Sequence, residues 1–213
     1  MKDMDSSEPR QRILDAAISL FAQKGFAAVG VREIAAEAGV NIAMISYYFE
    51  GKVGILKEIM VQFFDRYSLV FERIDDAAKS PQDCVRDLIH NIVDFVRNNT
   101  ELTMVSYNEL PLDIPQIAEL KAERIIAIIK RISGLVQRMG LDPKDSFLIA
   151  VVGPSLISTI FTNFRFRPVL QHVFQFKFDD AYYERYAETI ATLFLNGVTG
   201  LAEMKKRKER STK

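Results

Sequence analysis

Apolar residues recur at helical spacing along nearly the whole chain, and this periodicity limits the possible folds more than any other feature. Ile13, Ala16, Ala17, Leu20 and Phe21 follow the i, i+3, i+4, i+7 pattern of one helix face. No convincing strand pattern interrupts it. Only the aromatic and basic segment 165–178, with a proline inside, is compatible with either a strand or a short helix. We therefore predict an all-α protein.

Capping and turn residues mark where the predicted helices begin and end. Ser6 or Ser7 caps the first helix and Gly25 ends it. Two short helices follow at 31–38 and 42–48, and a long one begins at Lys52. The remaining predictions are that this long helix reaches about residue 78, that 101–108 is a looser segment, and that further helices cover 81–97, 115–138, 146–164 and 180–208.

The two short helices are joined by residues 39–41, which include a glycine. Such a pair predicts a helix-turn-helix, whose second helix lies in the major groove of DNA. A helix as short as 42–48 is not stable alone, so Val40 and Ile45 are expected to pack on the two preceding helices. The outward side chains are then available for DNA.

The side chains around this second helix divide by the part of DNA that suits them. Tyr47 and Lys52 suit phosphate, which carries no sequence information, whereas Ile42, Ala43 and Ser46 are expected near base edges. The predicted DNA-binding set is Arg32, Asn41, Ile42, Ala43, Ser46, Tyr47, Tyr48 and Lys52. Alternatives remain open for four of them: a helix cap for Asn41, a surface ion pair for Arg32, partial packing for Tyr48 and a solvated side chain for Lys52.

Residues 10–56 contain "KGF", "VREIA", "AGV" and a short helix that ends in "YYF" and precedes a lysine. This order of motifs resembles the N-terminal domain of TetR-type transcriptional regulators. The resemblance implies a homodimeric repressor, and it predicts a helix-turn-helix DNA-binding domain at 1–50 and a helical effector-binding and dimerisation domain at 51–213. Gly30, Ser46 and the Val53-Gly54 pair depart from the family pattern, so the DNA contacts at positions 30 and 46 stay open.

The stretch 146–164 carries no charge and is close to the length of a membrane span. Because glycine, proline and hydroxyl residues interrupt it, we interpret it as a buried helix. It needs cover on more than one side, so we predict a two-fold dimer built from this helix and the last one, with Leu156 and Ile160 in the contact.

Aromatic residues are concentrated between residues 161 and 186. Some are expected in the core or in a dimer interface, and the excess is consistent with a pocket for a small apolar or aromatic effector. The candidate lining residues are Met104, Tyr107, Asn108, Phe161 and Phe164.

Composition excludes several other kinds of function. Lys plus Arg (28) equals Asp plus Glu (28), so any DNA contact depends on a local patch. One cysteine and two histidines match no metal-ligand spacing, and no nucleophile or phosphate-loop motif occurs. We predict no catalytic site, metal or cofactor, and a cytoplasmic location. A helical carrier of apolar ligands or an interaction module without specific DNA binding remains the alternative.

Overall fold

The computed structural model describes residues 7–72, 74–108 and 114–211, with side chains placed for 8–72, 74–107 and 114–197. Within these ranges the chain forms helices and no strand, which confirms the all-α prediction. The helices are α1 (Ser7–Lys24), α2 (Val31–Glu37), α3 (Ile42–Phe49), α4 (Lys52–Leu69), α5 (Pro81–Asn98), α6 (Thr100–Asn108), α7 (Pro115–Arg138), α8 (Ser146–Phe174) and α9 (Asp180–Ser211).

Two predicted boundaries are wrong. Helix α4 ends at Leu69 and not near residue 78, and the segment expected to be looser is the regular helix α6. After α4, the Asp76 carboxylate accepts a hydrogen bond from the Ala78 N–H, and Asp75 pairs with Arg138. The first is a local bond that competes with helical hydrogen bonds and the second is a long-range ion pair, and together they hold residues 75–78 outside a helix.

The segment that was open between strand and helix is helical as far as Phe174. Helix α8 continues through both Pro154 and Pro168, and Gln175 closes it in the left-handed conformation (φ 55°) while its N–H donates to the Gln171 carbonyl. The connector to α9 is therefore short.

Contacts divide the chain into two compact units. The first comprises the described residues of Met1–Tyr67 and Asn99–Ile125, and the second those of Ser68–Asn98 and Ile126–Lys213. The first thus holds α1 to α3, most of α4, α6 and the start of α7. This grouping differs from the predicted division at residue 50, which concerns DNA and effector binding and stays a prediction.

Helix α1 organises the first unit. Its predicted apolar face is buried throughout, from Ile13 to Phe21, and the helix contacts both α2 and α6. Helix α3 adds Ile45 and Phe49 to this core, as predicted for Ile45, whereas Val40 is only half-buried. The helix-turn-helix is therefore fixed on α1.

Helix α9 organises the second unit and packs on α5 and α8. The Tyr183 ring stacks on Phe164 with centroids 5.4 Å apart. Arg97 of α5 forms an ion pair with Asp180 and lies 4.8 Å above the Tyr183 ring. These contacts hold the start of α9 against the end of α5.

Helix α8 is buried on one face only, so its interpretation as a buried helix is wrong for the single chain. Leu156, Ile160, Phe161 and Phe164 face the core of the second unit. Other apolar side chains are exposed, namely Phe147, Val151, Phe166, Val169, Val173 and Phe174. By length and composition α8 could cross a membrane, and only 22% of its most apolar stretch is buried. The residues expected in a dimer contact, Leu156 and Ile160, instead belong to the core of their own chain.

Candidate nucleic-acid interface

The turn between α2 and α3 has a well-defined backbone. Gly39 adopts a φ of +64°, which residues other than glycine rarely adopt. The Val40 N–H then donates to the Ala35 carbonyl at 3.0 Å, and this bond closes the end of α2. Residues 39–41 thus form a tight turn between the two helices.

Helix α3 is secured at both ends and along its inner face. The Asn41 side-chain oxygen accepts a hydrogen bond from the Ala43 N–H at 2.9 Å, so Asn41 caps the helix, as its alternative role predicted. Glu50 ends the helix in the left-handed conformation and donates its N–H to the Ser46 carbonyl. With Ile45 and Phe49 buried, a helix of eight residues keeps one defined outer face.

Five of the predicted DNA-contacting residues lie on this outer side. Ile42 is 42% exposed and Tyr47 is 81% exposed, and Asn41, Ala43 and Ser46 are exposed as well. Tyr48 is half-buried and meets Tyr47 edge-on at 4.9 Å, which supports its predicted partial packing. An exposed tyrosine beside small side chains forms a surface suited to phosphate at its rim and to base edges at its centre.

Arg32 is exposed on the first turn of α2. Its neighbour Glu33 pairs with Lys24 of α1, and this hydrogen bond lowers the pKa of the Glu33 carboxyl. Among the ion pairs of the described residues, none includes Arg32. The phosphate contact of Arg32 therefore stays a prediction, as does its alternative role as a surface ion-pair partner.

Lys52 turns toward the loop between α1 and α2. Its ammonium donates to the carbonyl oxygens of Phe26 at 2.8 Å and Val29 at 2.9 Å, and it lies 4.2 Å from the centre of the Phe26 ring. The structure does not test the predicted phosphate contact, but it gives this side chain a set of internal partners that the sequence did not reveal.

Gly54 is a second residue whose role the sequence did not reveal. A Cβ atom at this position would lie 1.6 Å from the carbonyl oxygen of Phe49, which is a backbone atom. The glycine therefore lets the end of α3 lie directly on the first turn of α4. The departure of Gly54 from the family pattern could have indicated this close approach. Glycine inside a helix is destabilising, so its presence there points to a packing requirement.

Arg10 supports the same junction from α1. It forms an ion pair with Glu58 at 2.9 Å, and its guanidinium lies 5.3 Å from the centre of the Phe49 ring. Arg10, Gly54 and Phe49 thus hold the base of α3 while its outer face stays open.

The predicted effector-lining residues lie in both units. Met104 and Tyr107 are half-buried on α6 in the first unit, whereas Phe161 and Phe164 belong to the core of the second. The side chain of Asn108 lies outside the described residues. The stacking of Phe164 on Tyr183 is ordinary core packing. In the described parts of the chain, no three side chains are grouped in a way that could hold a metal ion.

The sequence model of a family described as "Bacterial regulatory proteins, tetR family" matches residues 13–59, from α1 into α4. The "Probable HTH-type transcriptional regulator YttP" of Bacillus subtilis (strain 168) is 36% identical over 113 residues, which are 52% of this chain and 55% of YttP. The HTH-type transcriptional repressor KstR of Rhodococcus jostii (strain RHA1) is 36% identical over 74 residues, which are 35% of this chain and 32% of KstR. The chain thus spans about half the length of YttP and less of KstR.

Solved structures extend the likeness in fold to most of the chain. The ketosteroid transcriptional regulator KstR2 of Mycobacterium tuberculosis has a TM-score of 0.67 at 17% identity, covering 88% of this chain and 93% of that one. A TetR-like transcriptional regulator from Rhodococcus sp. RHA1 has a TM-score of 0.66 at 17% identity, covering 90% and 96%. All these relatives are named as regulators, which agrees with the prediction of a non-enzyme and disfavours the carrier alternative. Together with the match at residues 13–59, they confirm the predicted resemblance: residues 13–59 match the tetR family of bacterial regulatory proteins, and most of the chain has the fold of TetR-like regulators.

Proposed function

We propose that this protein is a ligand-responsive, DNA-binding transcriptional regulator, and that it is a homodimeric repressor released from operator DNA by a small apolar molecule. The observation that carries the proposal is the outer face of α3, where Ile42, Ala43, Ser46 and Tyr47 are exposed on a helix held at both ends. A short helix that is buried on one side and open on the other is the form in which a helix-turn-helix enters the major groove.

The exposure of the outer side chains of α3 supports the proposed division of DNA contacts, with Lys52 set apart by its internal partners. Tyr47 and Arg32, both exposed, suit phosphate, while Ile42 and Ala43 offer apolar contact to thymine methyl groups. Ser46 adds a hydroxyl that accepts or donates hydrogen bonds, and Asn41 has an NH₂ group left after its oxygen caps α3. Tyr48 would contribute through the Tyr47 ring, which it contacts.

Selection of duplexes from a random pool tests DNA binding most directly. We expect an enriched sequence with two-fold symmetry, and an affinity for it that falls steeply with salt concentration because phosphate contacts release counterions. Scrambled duplexes of the same length are the control. Recovery of no sequence preference, or binding that does not respond to salt, would contradict the proposal.

A second copy of the chain is the proposed cover for the exposed face of α8. Phe147 and Val151 are exposed near its start, and Val169 and Val173 are exposed near its end. In an antiparallel two-fold contact, the start of one α8 meets the end of the other, so apolar side chains would meet apolar side chains. Leu193, 67% exposed on α9, would extend the same contact.

The proposed effector is apolar, and it would bind in the helical domain. Its support is the aromatic content of α8 and α9, together with the names of two proteins of similar fold. One is the ketosteroid regulator KstR2 and the other is titled a fatty acid degradation regulator, FadR from Bacillus halodurans; both names refer to apolar molecules. The candidate lining residues remain Met104, Tyr107, Asn108, Phe161 and Phe164, and the proposed location is the cytoplasm with no membrane partner.

A thermal-shift screen tests the effector class, since a ligand that binds only the folded protein raises the unfolding temperature. We expect stabilisation by sterol-like, acyl or aromatic compounds, and the same compounds should release the selected duplex. Stabilisation by sugars, phosphates or metal ions alone would contradict an apolar effector.

A further inference from the structure

We propose that Lys52 is a positioning residue for DNA binding, which fixes the loop before α2 and so sets the orientation of the helix-turn-helix. This inference rests on the proposed DNA-binding function, but its first test does not. It assigns to Lys52 a role different from the phosphate contact that the sequence predicts.

The ammonium of Lys52 binds one short loop. The residues from Gly25 to Gly30 connect α1 with α2, and the Val29 N–H donates to the Phe26 carbonyl at 3.4 Å to form a turn. Lys52 binds the carbonyl oxygens at both ends of this turn, at 2.8 and 2.9 Å, and its ammonium lies over the Phe26 ring. An ammonium has three N–H groups, so at most one remains for a phosphate.

The fixed loop leads directly into the DNA-binding motif. Gly30 follows Val29, and its carbonyl accepts the first hydrogen bonds of α2, from Glu33 and Ile34 at 3.1 Å each. Gly30 provides no side-chain cap for α2. The start of α2 therefore depends on the backbone position that precedes it, and α2 in turn contacts α3.

The placement of a lysine here has a physical explanation. Lys52 is the first residue of α4, where the helix dipole disfavours a positive charge. Two carbonyl oxygens and an aromatic face offset this cost, since each is attractive to an ammonium. The carbonyls of Phe26 and Val29, which lie in the loop outside any helix, in turn accept hydrogen bonds from a charged donor.

The test compares Lys52→Met with Lys57→Met, which removes a lysine charge from an exposed position on the same helix. The first measurement is hydrogen exchange without DNA, at the amides of Val29, Glu33 and Ile34. We expect faster exchange in Lys52→Met and no change in Lys57→Met. Unchanged exchange in Lys52→Met would overturn the proposal, whatever the protein binds.

The second measurement is DNA affinity at several salt concentrations, on the selected duplex and on scrambled duplexes. We expect Lys52→Met to weaken specific binding by roughly ten-fold, the size of losing one good base contact, with scrambled binding and the salt slope little changed. An equal loss on both duplexes, with a slope reduced by about 0.9 per subunit, would identify a phosphate ligand and overturn the proposal.

Two further outcomes complete the comparison. Faster exchange with unchanged specific affinity would overturn the proposal, because the contact would then be structural only. Lys52→Gln, which keeps N–H donors without the charge, serves if Lys52→Met does not fold, and we expect its effects to be smaller in the same direction. If the unmodified protein prefers no sequence, the proposed function fails, while hydrogen exchange still decides whether Lys52 fixes the loop.

Discussion

Single residues around α3 separate into those that build the helix and those that face outward. Asn41, Phe49 and Gly54 determine where α3 begins, ends and rests, whereas Tyr47 contributes little to the core because it is 81% exposed. Substitutions in the two groups are therefore expected to differ in kind: the first should change stability and the second should change binding.

Gly54→Ala should destabilise the protein although alanine is the better helix former. The added methyl group would overlap the Phe49 carbonyl, and two segments of backbone would have to separate. We expect a net loss of roughly 1–2 kcal/mol in the free energy of unfolding, since overpacking typically costs about 1–3 kcal/mol and the helix propensity returns part of it. Urea denaturation measures it. Gly153→Ala is the control, because a Cβ there meets no atom within 4 Å; equal stability of both variants would show that the close approach is absent.

Tyr47→Phe should weaken DNA binding and leave the free energy of unfolding unchanged. The hydroxyl of an exposed tyrosine suits a phosphate oxygen, and its loss removes a hydrogen bond worth about 1 kcal/mol but no charge. The affinity should therefore fall several-fold at every salt concentration, with the same slope against log salt concentration. Titrations on selected and scrambled duplexes measure both quantities; unchanged affinity on both would exclude a contact through the Tyr47 hydroxyl.

At the scale of elements, α8 shows which structural features a sequence pattern predicts and which it does not. The lack of charge and strand signals over 146–164 correctly indicated a helix. The spacing within it gave no sign of which face the chain itself covers. Residues 165–174 combine aromatic, basic and proline residues, so local propensity favours neither helix nor strand, and their helical state follows from continuing α8. The end of α4 was missed for a similar reason, because the partner of Asp75 is Arg138, far away in sequence.

The two faces of α8 lead to opposite expectations for the same substitution. Ile160→Glu should unfold the second unit, because it buries a charge without a partner, at a cost of about 4 kcal/mol or more. Val151→Glu and Val169→Glu, at exposed positions, should each keep the chain folded but dissociate the proposed dimer. Sedimentation and circular dichroism measure mass and folding. If both exposed variants remain dimeric, the contact between copies lies on another surface.

At the scale of the whole molecule, a feature of the structure was predictable when the residues that form it lie close together in the sequence. The helix-turn-helix was predictable because its turns, caps and buried face are encoded within residues 31–49. The cap at Asn41 and the outward positions of Ile42, Ala43, Ser46 and Tyr47 follow from spacing alone. The internal partners of Lys52, the carbonyls of Phe26 and Val29, were not predictable, because they are backbone atoms that no sequence pattern displays.

A palindromic duplex should bind far more tightly than either half-site. Once one helix-turn-helix of a dimer is bound, the other is held near the second half-site, so its binding is effectively intramolecular and the gain is on the order of 10²-fold or more. Titrations of full and half-sites measure this ratio. In Val169→Glu the ratio should approach that of two independent sites, and a ratio near one for the unmodified protein would contradict paired binding.

The hydrogen bonds from Lys52 to the loop before α2 also limit which changes similar sequences can carry in this loop. Every amino acid supplies the same carbonyl oxygen, so the contact places no demand on the side chains of Ala27 and Ala28, which are exposed between the two acceptors. It does fix their number, since one inserted or deleted residue would move Val29 out of reach. Surface loops ordinarily tolerate changes in length as readily as changes in sequence. Positions 27 and 28 should accept substitution freely while the loop keeps its length, and similar chains with a longer loop here should lack the lysine.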